Sequence, residues 1–232
     1  MSLQANQIIS YWDMCDIEGH RQLQRGMYFL LEPTHSVLLM SVKPNAPYAD
    51  KISDDGLTIY YEGHDAVGDK YKKLDQPETN SSGSLTQNGL FAKAASKGKR
   101  EESLHLVRIY EKLKDGIWNY RGLFELLDYA YIERGGRKVF EYTLTITEQD
   151  RVEHKNHPLQ HLDIEQTRQI PGKVKLEVYK RDEGQCVKCG SRDNLHFDHI
   201  LPYSKGGTSL RTSNIQILCA RHNLKKSDSL EK

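Results

Sequence analysis

Residues 186–226 read CVKCGSRDNLHFDHILPYSKGGTSLRTSNIQILCARHNLKK, and this stretch decides how the C-terminal part of the chain folds. Two pairs of residues frame it, each with the spacing that a tetrahedral zinc site requires. We therefore predict one structural Zn²⁺, bound by Cys186, Cys189, Cys219 and His222. The 29 residues between the pairs exceed an ordinary zinc loop, which indicates that the insert carries a second centre.

A cluster of polar side chains in and just after this insert suits phosphodiester hydrolysis: Asp198, His199, Asn214 and Asn223. Attack by water requires a group that removes a proton and a cation that neutralises the developing charge. His199 suits the role of base because imidazole titrates near neutral pH. Asp198 and Asn223 offer hard oxygen ligands for Mg²⁺ or a similar ion. Because neighbouring side chains on a strand point to opposite faces, we expect Asp198 and His199 to lie at a bend.

This block resembles the HNH (ββα-metal) nuclease family, whose name records three residues that fall here at His199, Asn214 and Asn223. The resemblance implies that Asp198 and Asn223 hold a single catalytic metal ion. It also implies that Asn214 bonds the backbone and fixes the loop that carries the base. A plain zinc ribbon would explain the four zinc ligands alone. It would not explain the Asp-His pair together with both asparagines, so we favour the nuclease interpretation.

The block also carries signals of local structure. Gly206-Gly207 predicts a turn between two short strands, where a positive φ is needed. Asn223 is expected to open a helix after the second pair of zinc ligands, with Lys225 and Lys226 close to the phosphate.

The composition of the 232-residue chain indicates one large or two small folded domains. No run of eighteen apolar residues is present and no apolar segment follows basic residues near Met1, so neither a membrane span nor a secretory signal is expected. Three of the four cysteines are assigned to zinc and only Cys15 remains. This usage excludes a disulfide framework and suits a reducing cytoplasm.

Charge is distributed unevenly along the chain. Residues 171–232 hold 12 Lys and Arg against 7 Asp and Glu, whereas the first 170 residues hold 21 against 25. The C-terminal segment is therefore basic, as contact with a nucleic acid favours. A second basic cluster at residues 93–100 fits either contact with DNA or a solvated loop.

The region before the zinc-framed block is rich in strand signals. Apolar residues alternate strictly with polar ones in its clearest segments, which is typical of half-buried strands. Strands are predicted at 36–42, 57–61, 104–113, 117–127 and 140–146. We expect the first 25 residues to be helical and 75–90 to form a long polar loop. Residues 151–172 are polar, contain prolines and lack periodicity, which predicts a linker.

Short motifs lie in order along this strand-rich region: Tyr48-x-Asp50, Asp55-Gly56, Tyr60-Tyr61-Glu62-Gly63, Asp75-Gln76, Gly89-Leu90-Phe91-Ala92, Val107-Arg108 and Trp118-x-Tyr120-Arg121-Gly122-Leu123-Phe124. With these motifs, residues 26–147 resemble the SRA (YDG) domain, a reader of modified cytosine in DNA. The Tyr-Asp-Gly signature of that family is replaced here by Tyr120-Arg121-Gly122.

The SRA resemblance implies that the domain extrudes one nucleotide from the duplex and stacks its base between aromatic rings. Tyr48 and Tyr61 would form the stacking walls. Asp50 would accept a hydrogen bond from the exocyclic N4 amine of cytosine. Ordinary packing of the tyrosines on strands, and a turn-capping role for Asp50, are alternatives that the sequence leaves open.

We therefore predict an α+β fold with a twisted, β-rich, SRA-like open barrel at residues 1–150, a linker at 151–172 and a small zinc-clamped ββα-metal HNH domain at 173–232. The predicted function is metal-dependent cleavage of double-stranded DNA that contains methylated or hydroxymethylated cytosine. Two alternatives are an HNH endonuclease that reads unmodified sequence or shape, and a non-catalytic reader of modified DNA. With one active site per chain, cleavage of both strands requires a homodimer or two successive nicks.

Overall fold

The computed structural model describes residues 3–41, 46, 48–66, 68, 74–151, 170–202 and 205–226. Most of the predicted linker, 152–169, lies outside these residues. The strands are β1 Gln7–Ser10, β2 Met27–Glu32, β3 His35–Met40, β4 Lys51–Ile52, β5 Thr58–Glu62, β6 His105–Lys114, β7 Ile117–Arg134, β8 Arg137–Ile146, β9 Leu195–His199 and β10 Ile215–Cys219. The helices are α1 Tyr11–Ile17, α2 Gln87–Glu101, α3 Glu148–Arg151, α4 Gly172–Arg181 and α5 Ala220–Lys226. The predicted α+β class is confirmed.

Alternation of apolar and polar residues produces the strands of the main sheet. On β8, every second side chain from Phe140 to Ile146 is buried, as the period of two predicts. The same pattern buries Ile59 and Tyr61 on β5. Strands β6 and β7 are joined through Asp115 and Gly116, where Gly116 has a φ of 75°. The predicted strands therefore form, with bounds shifted by a few residues.

Ten strands of the described residues form one sheet, in the order β10-β9-β1-β7-β6-β3-β2, with β8 on β7, β5 on β8 and β4 on β5. All pairs are antiparallel except β3 with β6. The 18-residue strand β7 is the central strand of the sheet, since β1, β6 and β8 all pair with it. Among the described residues, no helix is long and apolar enough to cross a membrane.

Strand β1 lies between β7 and β9, and so connects the N-terminal strands of the sheet with the C-terminal pair β9 and β10. Ile8 is the partner of Asn119 in β7 on one side and of Leu195 in β9 on the other. The prediction that the first 25 residues are helical is therefore correct only for α1, Tyr11–Ile17, and wrong for the other described residues of that segment. Helix α1 follows Ser10, whose side chain accepts a hydrogen bond from Asp13 N. The predicted domains at 1–150 and 173–232 share one sheet, and their boundaries stay a prediction.

Helix α2 replaces part of the predicted polar loop. It begins after Thr86, whose side chain accepts a hydrogen bond from Gly89 N, so only residues 75–86 remain a loop. Phe91, Ala92 and Ala95 bury one face of the helix against the sheet. The sequence hid this helix because two glycines and an asparagine weaken its intrinsic propensity, which packing overrides. The basic cluster at 93–100 therefore lies on this helix, and the loop alternative is wrong.

A buried polar network joins helix α4 to the main sheet. Arg121 Nη1 donates to Glu111 Oε2 at 3.1 Å and to the backbone oxygen of Ile170 at 3.3 Å. Lys175 Nζ donates to Asn119 Oδ1 and lies 3.8 Å from Glu111 Oε2. Burial, and then the charge of Arg121, lower the pKa of Lys175. The arginine that departs from the Tyr-Asp-Gly signature thus serves the junction between the two parts of the chain.

Candidate functional site

The four predicted zinc ligands come together at the end of β10. Cys219 closes that strand and His222 lies in the first turn of α5, while Cys186 and Cys189 are in the turn after α4. One ligand atom from each of the four residues lies within 4.8 Å of the others. The backbone nitrogen of Val187 donates to Ile217 O at 3.0 Å, which ties the first pair to β10.

The distances within this cluster fit a tetrahedral zinc ion. Cys189 Sγ and Cys219 Sγ are 3.9 Å apart, and His222 Nδ1 lies 3.4 Å from Cys186 Sγ and 3.3 Å from Cys219 Sγ. Zn–S bonds of about 2.3 Å in a tetrahedron separate two sulfurs by about 3.8 Å. The Cys3His set therefore has the donor chemistry and the spacing that zinc needs.

The environment of Cys186 favours the thiolate that a metal binds. Burial raises the pKa of this thiol, but backbone hydrogen bonds from Cys219, Lys188 and Cys189, together with His222, lower it to about 6. A thiolate is the ligand form of cysteine. Among the cysteines, Cys15 lies in a separate core cluster and takes no part in the site.

Asp198 and His199 are the last two residues of β9, so the prediction of a bend at this pair is wrong. The bend begins only at Ile200, because His199 is still paired with Ile215 of β10. The two side chains have different hydrogen-bond partners. Asp198 Oδ2 accepts from Gln216 Nε2 at 3.2 Å, whereas His199 Nε2 lies 2.8 Å from Ser209 Oγ.

Lys226 occupies a position that the sequence did not predict. Its Nζ atom donates to Asp198 Oδ2 at 2.6 Å and to the backbone oxygen of His199. The lysine side chain is 2% exposed and that of Asp198 is 20% exposed. Lys226 and Asp198 therefore form an ion pair at the Asp-His pair. The expectation that Lys225 and Lys226 lie near a phosphate stays a prediction.

Asn214 fixes the loop between β9 and β10, as the HNH resemblance implies. Its Oδ1 accepts from Leu201 N at 2.8 Å, and its Nδ2 donates to Leu201 O at 3.2 Å and to Thr208 O at 3.0 Å. Gly206 has a φ of 86°, in agreement with the predicted turn. A Cβ atom on Gly207 would lie 1.9 Å from Leu201 O, so only glycine fits there.

Asn223 lies within α5 and not at its beginning. The helix starts at Ala220, so its first turn carries His222 of the metal cluster. Asn223 and Lys226 are three residues apart and therefore share a face of the helix. Since Lys226 contacts Asp198, this face of α5 is turned towards β9.

Two of the three predicted base-binding residues, Tyr48 and Asp50, line a cavity of about 430 Å³. Its lining among the described residues includes Tyr48, Asp50, His64 and Trp118, with the cations Arg25 and Lys112. A volume above about 300 Å³ is in the range of ligand-binding cavities.

Asp50 is held at this cavity by two backbone amides. Its Oδ1 accepts from Glu62 N at 3.1 Å and its Oδ2 accepts from Ser41 N at 3.3 Å. Burial raises the pKa of Asp50 to about 7, against the effect of these two hydrogen bonds. The turn-capping alternative therefore describes part of its environment, although the residue also lines the cavity.

Tyr61 does not line the cavity. The residue is 1% exposed and belongs to the main hydrophobic core. Its hydroxyl group lies 2.9 Å from His64 Nε2 and 3.4 Å from Leu39 O. The structure thus brings Tyr48 and Asp50 to one cavity. His64 also lines this cavity and contacts the hydroxyl group of Tyr61. The sequence motifs did not single out His64, although it directly follows Tyr60-Tyr61-Glu62-Gly63.

Comparison with known families matches the C-terminal segment of the chain. Residues 186–229 match the family model described as HNH endonuclease, and this segment contains every predicted zinc and catalytic residue. The predicted HNH resemblance is therefore confirmed. The chain matches none of the curated proteins.

Two solved structures are similar to part of this chain. One is the SRA domain of SUVH5 in complex with methylated CHH DNA, with 18% identity over 63% of this chain and 90% of that chain and a TM-score of 0.46. The other is the DNA modification-dependent restriction endonuclease AspBHI, with 14% identity over 64% of this chain and 77% of that chain and a TM-score of 0.45.

Proposed function

We propose that this chain is a metal-dependent DNA endonuclease directed to DNA that contains methylated or hydroxymethylated cytosine. The observation that carries the proposal is the contact of Asp198 with α5, the helix that also carries His222 of the Cys3His cluster. Both lie within the segment that matches the HNH endonuclease family. The predicted reader at 1–150 and nuclease at 173–232 would act through the sheet that they share.

His199 is the proposed general base. Its Nε2 atom lies 2.8 Å from Ser209 Oγ, so the ring is held in one orientation while it accepts a proton from the attacking water. Asp198 and Asn223 would hold Mg²⁺ or a similar ion, which neutralises charge on the phosphate and the leaving oxygen. Asn214 keeps the loop after His199 in place through its three backbone hydrogen bonds.

The Cys3His cluster has a structural role in this proposal. All four positions of a tetrahedral zinc ion are filled by protein ligands, which leaves none for water or substrate. Zn²⁺ bound there would fix α5 against β10, and so keep Asn223 and Lys226 opposite Asp198. Reduced thiols at this cluster suit the cytoplasm, which is our proposed location.

Specificity would come from the cavity, because phosphate contacts and a metal ion cut without regard to base. An extruded cytosine would stack on Tyr48, and Asp50 would bond its Watson–Crick edge. Arg25 and Lys112 at the cavity suit the neighbouring phosphates. Double-strand cleavage would follow either from a homodimer or from two successive nicks.

The test is digestion of matched plasmids that differ only in cytosine methylation or hydroxymethylation, with Mg²⁺ and with a chelator. Cleavage of the modified plasmid alone, and only with the divalent ion, is expected. His199→Ala should slow cleavage by about 10²- to 10⁴-fold without loss of DNA binding. The matched control is His20→Ala, which removes an exposed imidazole far along the chain from the site. Cleavage by His199→Ala at the wild-type rate would reject the assignment.

A further inference from the structure

The His64 side chain contacts both tyrosines that were predicted to enclose an extruded base. Its ring is stacked on that of Tyr48, with centroids 4.8 Å apart and planes within 7° of parallel. The ring of Tyr61 is 6.0 Å away and inclined by 32°, and its hydroxyl group faces the edge of the imidazole at Nε2. An imidazole therefore covers a face of Tyr48 on which a base would be expected to stack.

The spacing leaves no room for a third ring. Stacked bases are about 3.4 Å apart, so a base inserted between two rings requires them to be about 7 Å apart. The Tyr48 and His64 rings are too close for that. A base can stack on this face of Tyr48 only if the imidazole moves.

The surroundings of His64 are shaped to receive the ring. A Cβ atom at Gly26 would lie 2.4 Å from both Cε1 and Nε2 of His64, so a side chain there would expel the imidazole. Nε2 also lies 2.9 Å from the Tyr61 hydroxyl oxygen. Burial lowers the pKa of His64 to about 4, so the ring is neutral near pH 7 and stacks as an uncharged aromatic group.

The backbone of His64 is anchored independently of its ring. His64 N donates to Asn88 Oδ1 at 2.9 Å, and Asn88 Nδ2 donates to His64 O at 2.8 Å. Asn88 lies in helix α2, which is packed into the core. The side chain can therefore rotate about its own bonds while the strand end stays in place.

We propose that His64 occupies the base-binding slot in the DNA-free protein, and that an extruded modified cytosine displaces its imidazole and stacks on Tyr48 in its place. This inference rests on the proposed function, because it concerns the same cavity. His64 then lowers the affinity for an extruded base, since its stack on Tyr48 must be broken first. Binding through phosphates alone, without extrusion, does not require the displacement.

His64→Ala tests the proposal directly. We expect the full-length variant to bind a duplex with one modified cytosine about 2- to 10-fold more tightly than wild type, the factor that corresponds to one lost aromatic pair. Binding of the plain duplex should not change. The matched control is His105→Ala. It removes an imidazole that is stacked on Phe29, with ring centroids 4.9 Å apart, and that does not line the cavity. Unchanged or weaker binding of the modified duplex by His64→Ala would overturn the proposal.

A second measurement uses the wild-type protein, so it does not depend on the folding of a variant. In the wild-type protein, the Hε1 and Cε1 resonances of His64 should carry ring-current shifts that disappear when the modified duplex binds. Resonances that keep their shifts in the complex would overturn the inference. If wild-type protein binds modified and plain duplexes equally, the proposed function itself fails. A preference in wild type with no gain in His64→Ala removes this inference alone.

Discussion

The Nζ atom of Lys226 lies 2.6 Å from Oδ2 of Asp198, at the carboxylate that we propose as a ligand of the catalytic metal. The ammonium also donates to the backbone oxygen of His199, so one cation contacts both residues of the Asp-His pair. The Asp198 side chain is only partly exposed, so this ammonium offsets much of the cost of removing its charge from water. A divalent ion at Asp198 must therefore either share the carboxylate with Lys226 or replace it.

Lys226→Met should expose this relationship. The substitution keeps the length of the side chain and removes the charge, which leaves the Asp198 carboxylate without its ammonium partner. We expect a loss of unfolding free energy on the order of 3 kcal/mol without divalent ion. Because a divalent ion can supply the missing charge, Mg²⁺ should raise the melting temperature of the variant more than that of wild type. Lys225→Met, at the exposed neighbouring position, should respond like wild type. An equal response to Mg²⁺ in all three proteins would contradict the idea.

Loss of zinc should affect β1 as well as the C-terminal strands. Cys189→Ala is expected to release the metal, measured by elemental analysis, and to lower amide protection in β9 and β10 because α5 is no longer fixed. Protection should also fall in β1, since Ile8 pairs with Leu195, while β6 to β8 keep theirs. Cys15→Ala, which removes the thiol outside the cluster, should keep full zinc content. Retained zinc in Cys189→Ala would show that the metal site is misassigned.

Asp50 should make stability depend on pH. Its pKa of about 7 in the folded protein lies above the value of about 3.9 for an unfolded aspartate. The protonated Asp50 carboxyl therefore contributes its full share to the free energy of unfolding below pH 4, and this contribution is lost as the pH rises through 7. The wild-type loss between pH 4 and pH 8 should exceed that of Asp50→Asn by on the order of 4 kcal/mol, since each pKa unit equals about 1.36 kcal/mol. Denaturant unfolding at both pH values measures this, and parallel pH profiles would refute it.

Tyr48 should carry the preference for modified DNA. Removing one stacking ring lowers the affinity for an extruded base by about 1–3 kcal/mol, so Tyr48→Ala should bind modified and plain duplexes almost equally. Tyr131→Ala, which removes a partly exposed ring outside the cavity, should keep the preference. Fluorescence anisotropy with matched duplexes decides between these outcomes. A full preference in Tyr48→Ala would place the base elsewhere.

Tyr61→Ala has a different expected effect from the one that its motif suggests. The ring is buried in the main core, so its removal should destabilise the fold by about 3–5 kcal/mol. Reduced DNA binding by this variant would therefore not identify a stacking wall. This difference between Tyr48 and Tyr61 is invisible in the sequence, where both are tyrosines in short motifs.

The sequence by itself determined the parts that depend on local spacing. Cys186 and Cys189 are close along the chain, as are Cys219 and His222, so their geometry follows from single turns. Alternation fixed the faces of β5 and β8 for the same reason, because side-chain direction on a strand has a period of two. The order of His199, Asn214 and Asn223 identified the chemistry of the C-terminal segment, and the match of residues 186–229 agrees with it.

Only the tertiary structure decided which distant residues meet. The pairing of β1 with β9, the contact of Lys226 with Asp198 and the place of His64 beside Tyr48 each depend on how the whole chain packs. Local pattern carries no information on such contacts, because many arrangements satisfy the same alternation. Helix α2 was not predicted for a related reason: its stability comes from burying Phe91 and Ala95 in the core, and not from the intrinsic helix propensity of its residues.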